Sequence, residues 1–409
     1  MKKLCIFSLC AIMIVSRTSG TSDGNDALDE AIRTYRMGTL VIKTAPGATV
    51  QVRQLQHEFW FGTCIAQRIF TGTIPQKDKE KYLEILKNNF NSAVHENAMK
   101  WYSTERNRGV IDYHNADVML KWCEDNGLRM RGHCVYWAVD EFIQDWIKKL
   151  DDTTLYSVLE RRATDLLTHY KGRIPEYDIN NEMIHGNYYT RRLGNEIRTD
   201  MFQWCKKADP GALLYVNDYN IMSGDDLEKY EQHIEALLEA GVPVGGIGIQ
   251  GHFRDRVDPA KVKRALDRLS RFNLPIKITE FDILTLDEDV KAQGLKDVYS
   301  ICFAHPSVTG ILMWGFWAGS HWRSSERWGI PEYTALWDKD WNPTPAAQTY
   351  RDLVFRQWWT DFAGTADDKG ICEVQVFYGR HRIVADNRER IVAFPSGEKR
   401  MVVDLHNVE

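Results

Sequence analysis

Eight times between Phe59 and Phe316 the chain repeats one phrase: a short β-prone run, a polar tip, then a longer segment with helical spacing and charged faces. The runs are Phe59 to Ile65, Phe90 to Glu96, Arg129 to Trp137, Glu176 to Glu182, Leu213 to Tyr219, Gly246 to His252, Pro275 to Asp282 and Gly310 to Phe316. Strands that alternate with helices pair in parallel, because only a long crossover returns the chain in the same direction. Eight such units are the number that closes a barrel, so the spacing predicts an α/β fold of the (β/α)8 type, with an open doubly wound sheet as the rival topology. The stripes between the runs, such as Tyr82, Ile85 and Leu86, or Ile234, Leu237 and Leu238, read as helix faces packed on the sheet.

A chain of 409 residues with 44% hydrophobic content can bury one barrel and a small appendage. The appendage is expected from two flanking β-prone pieces, Thr39 to Gln54 with its Pro46-Gly47 turn and Ile371 to Leu405 with alternating Val374, Val376 and Tyr378. Neither is long enough to stand alone, so they are expected to pair with each other against the barrel's side. At the start, Lys2 and Lys3 precede an apolar stretch from Leu4 to Val15 and small polar residues through Gly20. That is the pattern of a secretory signal peptide, too short to span a bilayer. The expected organisation is therefore a signal peptide at 1–20, an N-terminal lead with accessory strands at 21–58, the barrel at 59–358 and a C-terminal accessory β module at 359–409. The mature protein is expected to be secreted, monomeric and without a membrane span.

A net charge of -5 with both signs interspersed points away from a nucleic-acid partner. Beyond the signal, Cys64, Cys123, Cys134, Cys205, Cys302 and Cys372 are too widely spaced for a zinc knuckle, and their pairing stays open.

Reactive groups of a (β/α)8 protein line the carboxyl ends of its strands, and polar residues collect there. Run two ends in Glu96 and Asn97 with Lys100 nearby, run three carries His133 and Trp137, and run four ends in Asn181 and Glu182. Run five ends at Tyr219, run six at Gln250 and His252, run seven carries Glu280 and Asp282, and run eight leads through Trp314 to Trp322. Two carboxylates, Glu182 and Glu280, each close an apolar strand, which is costly unless the group is paired or reactive. Tryptophan faces beside Asn, Gln, His and Lys suit a sugar, whose ring has apolar faces and hydroxyl edges. His133 and Lys100 also fit plain structural roles, as a core histidine and a strand-end ion pair. No Walker A loop, dinucleotide fingerprint or HExxH is present, so neither a cofactor nor a metal is expected.

In this order, FNSAVHENAMKW, RGHCVYW, YDINNE, VNDYN, GIGIQGH, ITEFDI and MWGFWAGSHWR closely resemble the strand motifs of glycoside hydrolase family 10, the retaining endo-β-1,4-xylanases, over roughly Phe59 to Gln357. The resemblance implies Glu182 as general acid/base, Glu280 as nucleophile, His252 and Asp282 as a chain holding the nucleophile charged, and Asn181 as a hydrogen-bond donor to the 2-OH at the cleavage point. It also implies Glu96, Asn97, Lys100, His133, Trp137 and Gln250 on the non-reducing side of substrate, Trp314 and Trp322 as its roof, and Tyr219 on the leaving-group side. The implied partner is xylan.

Where bacterial and fungal members commonly continue Trp-His-x-Gln, this chain reads Trp137-Ala138-Val139-Asp140, closer to the plant and animal members. The loss of an imidazole and an amide implies an opened wall that admits a C5 hydroxymethyl, which makes an endo-β-1,4-glucanase or a dual enzyme the alternative. The alternative of another class is an inactive carbohydrate-binding barrel.

Overall fold

Every one of the eight runs contains a strand in the computed structural model, which describes residues 22–72, 74–323 and 333–406. The expected signal peptide lies outside the described residues. In chain order β1 (Met37–Lys43) and β2 (Thr49–His57) come first. The barrel strands follow: β3 (Trp60–Ile65), β4 (Ser92–His95), β5 (Arg129–Arg131), β6 (Tyr136–Trp137), β7 (Glu176–Asn181), β8 (Leu213–Asp218), β9 (Gly246–Ile249), β10 (His252–Arg254), β11 (Ile276–Leu284) and β12 (Val308–Met313). Runs three and six are each broken into two strands. After the barrel come β13 (Asp361–Thr365), β14 (Ile371–Phe377), β15 (Gly379–Ala385), β16 (Arg388–Phe394) and β17 (Arg400–Asp404).

The parallel path runs β5-β4-β3-β12-β11-β9-β8-β7-β6. It closes on itself because β5 and β6 are halves of one run: Gly132, just past β5, bridges Tyr177 of β7, with Gly132 N–H on Glu176 O at 3.0 Å and Asp178 N–H on Gly132 O at 3.0 Å. A Cβ at 132 would stand 2.2 Å from the Tyr177 ring, so only glycine lets the two backbones meet at this seam.

The inside of the barrel holds an ionic layer. Arg131 Nη1 donates to Glu176 at 2.5 Å and Nη2 to Asp178 at 2.5 Å, while Lys277 Nζ lies 2.6 Å from both Glu176 oxygens. All four side chains are buried. The Arg131 guanidinium lies 4.3 Å from the Tyr215 ring centre and Lys277 Nζ 3.5 Å from that of Trp60, so aromatic faces complete the solvation that water would give. Around the strands, the helical stripes supply the apolar layer; the helix Asp152–His169, begun by Asp151 capping Thr154 N–H, buries Leu155, Leu159, Leu166 and Leu167.

The flanking strands knit together. β1 pairs antiparallel with β14 and parallel with β17, and β2 pairs antiparallel with β13 and β15, which in turn carries β16. The resulting three- and four-stranded sheets enclose their own core, with Leu40, Ile42, Val50, Val52, Val376, Ile383 and Phe394. A helix not read from the sequence, Ser22–Arg36, precedes them. It buries Ile32 in the barrel's core, and Arg36 ties it down by donating to Phe303 O, His305 O and Val308 O at 2.6, 2.6 and 2.8 Å. Among the described residues the six cysteines are all buried and unbonded. Among the described residues no helix is long and apolar enough to cross a membrane.

Candidate active site

Two strands lose their regular register just before their terminal carboxylates. β7 shifts against β8 between Asp178 and Asn181, and β11 shifts against β12 between Ile278 and Phe281. Regular alternation would send successive side chains to opposite faces. Here Thr279 Oγ1 and Glu280 Oε1 both reach Asn217, at 2.6 and 2.9 Å, so two successive residues serve the inside. At the end of β7, Glu182 has φ of 62°, a left-handed conformation uncommon outside glycine and found at functional sites. Its N–H is held by Asn217 O at 2.9 Å.

The strand ends open on a cavity of about 1290 Å³ lined by Glu96, Asn97, Lys100, His133, Trp137, Asn181, Glu182, Tyr219, Gln250, His252, Glu280, Trp314 and Trp322. Asp282 lies behind this surface and is buried. Glu182 and Glu280 belong to one hydrogen-bonded relay. Asn217 Nδ2 donates to Glu280 Oε1 and to Asn181 Oδ1, each at 2.9 Å, and Asn181 Nδ2 donates to Glu182 Oε1 at 3.1 Å. Gln250 Nε2 adds 2.9 Å to the same Glu182 oxygen, and Trp137 Nε1 takes the other at 2.9 Å. Asn217 is the link that sequence reasoning left out of the site, although its place at the end of run five put it in view.

The two carboxylates live in different fields. Glu182 receives only neutral donors, and burial pushes its carboxyl up to about 7; the Gln250 and Trp137 hydrogen bonds pull against that, and the charge of Glu280 adds to it. Glu280 faces a cation: His252 Nε2 stands 3.4 Å from Glu280 Oε2, and His252 Nδ1 is 3.0 Å from Asp282 Oδ1. Burial by itself would lower the imidazole, but Asp282 and then Glu280 outweigh it and raise it to about 9. Asp282 is buried too, yet His252 and Arg323 hold it well below the usual carboxylate range. Trp322 Nε1 and Arg323 Nη2 donate to Asp282 at 2.7 and 3.0 Å and fix its orientation.

On the wall formed by β4 and β6, Asn97 Oδ1 accepts from Lys100 Nζ at 3.2 Å and from Tyr102 at 2.9 Å, and Asn97 Nδ2 donates to Glu96 at 3.1 Å. Burial drives the Glu96 carboxyl upward against the pull of Lys100. His133 is both a cavity residue and a structural one, since its Nδ1 sits 2.9 Å from Asp178 of the ionic layer and its ring meets Trp314 edge-on at 5.0 Å. Opposite, Tyr219 is stacked on His185 at 3.7 Å and 13°, and His185 is itself clasped by Asp218 at 2.6 Å and Asp226 at 3.2 Å. Neither His185 nor this clasp was legible in sequence.

Trp137 lines the cavity, donates its indole N–H to Glu182 at 2.9 Å, and has one face covered by Phe142, with ring centres 3.6 Å apart and 12° between planes. Along Trp137-Ala138-Val139-Asp140, Ala138 is buried at 2% exposure under Gly186, where a Cβ would stand 2.6 Å from its carbonyl carbon; Asp140 turns outward to Arg191 at 2.6 Å, and Val139 and Phe142 line the cavity.

Among the described residues no cluster of three or more His, Cys, Asp or Glu side chains is arranged to hold a metal ion. What the arrangement can do is set one carboxyl raised towards neutral pH and a second one beside a cationic imidazole in a single cavity.

Known proteins resemble this chain over most of its length. The sequence model of glycosyl hydrolase family 10 matches residues 52–353. The anti-sigma-I factor RsgI6 of Acetivibrio thermocellus is 36% identical over 365 residues, covering 88% of this chain and 46% of that protein. Endo-1,4-beta-xylanase 1 of Arabidopsis thaliana is 44% identical over 275 residues, covering 66% of this chain and 28% of the relative. The chain thus spans less than half the length of these curated relatives. In three dimensions, xylanase 10B from Thermotoga petrophila in complex with xylobiose matches with a TM-score of 0.66 and 27% identity, over 73% of this chain and 95% of that one.

Proposed function

The chain belongs to glycosyl hydrolase family 10, and from that premise and the site geometry we propose that it is an exported endo-acting β-1,4-xylanase that cleaves by double displacement with retention. The observation that carries this reading is the pairing of a carboxyl raised to about 7 at Glu182 with a carboxylate, Glu280, held beside the cationic His252, the two joined through Asn217 and Asn181. A proton donor at neutral pH and a charged nucleophile are the two groups that retaining hydrolysis requires. The names of the A. thaliana relatives and the xylobiose bound to the T. petrophila enzyme support xylan as the substrate. Export rests on the N-terminal Lys2-Lys3 and Leu4 to Val15 pattern.

In this mechanism Glu280 attacks the anomeric carbon as the glycosidic C–O bond breaks, and the leaving oxygen takes the proton of Glu182. A glycosyl ester on Glu280 results. Glu182, now a carboxylate, deprotonates a water that attacks the same carbon, which frees Glu280 and returns the proton to Glu182. Asn217 touches the nucleophile and the chain to the acid, so it fixes their relative placement; Asn181 is placed to meet the hydroxyl beside the reacting carbon.

Release of reducing ends from xylan and from carboxymethylcellulose tests the substrate, with strong preference for xylan expected. Glu182→Ala and Glu280→Ala are both expected to be nearly inactive, and azide is expected to restore only Glu182→Ala on an activated aryl glycoside. Equal rescue of both would contradict the assigned roles, and no turnover by the unaltered protein would leave a binding barrel as the better reading.

A further inference from the structure

Past His252, the strand that carries it keeps supplying the cavity with side chains. β10 pairs with β11 so that His252 lies opposite Asp282 and Arg254 opposite Leu284. Residues two apart on a strand share a face, so Arg254 projects on the same side as His252 while the intervening Phe253 is buried. Asp255 then adopts φ of 57°, its N–H held by Leu284 O at 3.0 Å, and this turn brings Arg256 back to the cavity as well. Both guanidiniums line the cavity and are exposed. Among the described residues neither is paired with a carboxylate.

We propose that Arg254 and Arg256 form an anion subsite on the rim of the cavity that takes the carboxylate of a uronic acid branching from the polysaccharide. Two of the neighbouring acids are committed elsewhere. Asp258 caps the helix Pro259–Leu269 by accepting from Ala260 and Lys261 N–H groups at 3.0 and 3.2 Å, and Asp225 pairs with Lys261 Nζ at 2.9 Å. That ion pair also joins the loop after β8 to the start of this helix, so the arginines share a wall with Tyr219, the leaving-group side of the cut. A guanidinium presents a planar fork that matches a carboxylate, and two forks without internal partners on a sugar-binding wall call for an anion on the sugar. A neutral polymer would give these cations nothing that water does not. Being on the rim, the pair would act through partly solvated contacts and would be screened by salt.

This inference rests on the reading of the cavity as a xylan-cleaving site, and its test separates the two. The full chain is assayed on β-1,4-xylan bearing uronic-acid branches and on the same polymer after its carboxyls are reduced to alcohols, so that branch size is retained and charge is lost. The expected result is a kcat/KM about tenfold higher on the acidic polymer, as a charge-assisted contact of about 1.5 kcal/mol would give. That ratio should fall towards one as ionic strength rises and in the double variant Arg254→Gln/Arg256→Gln. Equal rates on the two polymers, or a ratio insensitive to salt, would overturn the subsite; the salt series needs only the unaltered protein, so it decides even if the variant folds poorly. If neither polymer is cut, the enzymatic reading has failed, and calorimetric titration with an acidic oligosaccharide and its carboxyl-reduced form reads the subsite alone, with equal affinity counting against it.

Discussion

β7 and β11 meet in a buried ionic layer at their lower ends and in a pair of carboxylates at their upper ends, and the two layers are built on opposite principles. Below, Glu176 and Asp178 of β7 are matched by Arg131 and by Lys277 of β11. Burial raises both acids, but these cations overcome it and hold both carboxyls below the ordinary range. Six residues above Glu176, Glu182 meets only amide and indole donors and rises to about 7. The difference lies in the partner and not in the carboxylate: a cation makes a buried acid structural, and neutral donors make it a proton source. Glu280 has its cation at second hand, from a histidine that Asp282 holds charged.

Exchanging the roles of the layers is the strongest way to break this contrast. Glu280→Gln is expected to lower kcat by about 10⁴-fold or more with little change in melting temperature, whereas Arg131→Met, which takes the shared cation from two buried acids and leaves Asp178 only His133, is expected to cost about 3–5 kcal/mol in denaturant unfolding. Similar stability losses in both variants would erase the distinction. Next in size is the pH dependence of stability. A carboxyl raised from 4.5 to about 7 on folding contributes stability that is complete below 4.5 and is lost as pH rises through 7, by at most about 3 kcal/mol. Glu182→Gln should therefore be more stable relative to the unaltered protein at pH 8 than at pH 4, and a constant difference would count against it. The smallest effect sharpens the upper layer itself. Gln250→Ala removes a donor that lowers Glu182, so the alkaline limb of the kcat/KM profile should move to higher pH; movement to lower pH would show that Gln250 does not stabilise the charged form.

The barrel was legible because its signal is repeated: each β-prone run ends in polar residues, and no other closed fold uses eight such units. The polar strand ends that line the cavity were legible for the same reason. What the sequence concealed depends on contacts between distant residues. Run three reads as one strand, yet Gly132 must leave β4 and bridge Tyr177 to close the barrel. Run six breaks at Gly251, whose φ of 82° turns the chain before β10. Asn217 is one of several amides at strand ends, and only the register shifts on β7 and β11 single it out as the link between Glu182 and Glu280. Phe142 belongs to an unremarkable loop sequence, and its stacking on Trp137 follows from the turn after β6. Ser22–Arg36 offers only a narrow apolar stripe at Leu28, Ala31 and Ile32, and its helix is fastened by Arg36 to carbonyls more than two hundred residues away.

The interlacing of the two flanks has a consequence for any shortened form of the protein. β1 and β2 draw all their partners from beyond residue 360, and β2 leads within three residues into the first barrel strand. Cutting the chain after the barrel would leave two bare ladders of unsatisfied amides and carbonyls with apolar Leu40, Ile42, Val50 and Val52 beside them. Such a surface recruits other strands, so a minimal barrel would tend to self-associate unless both flanks were removed together.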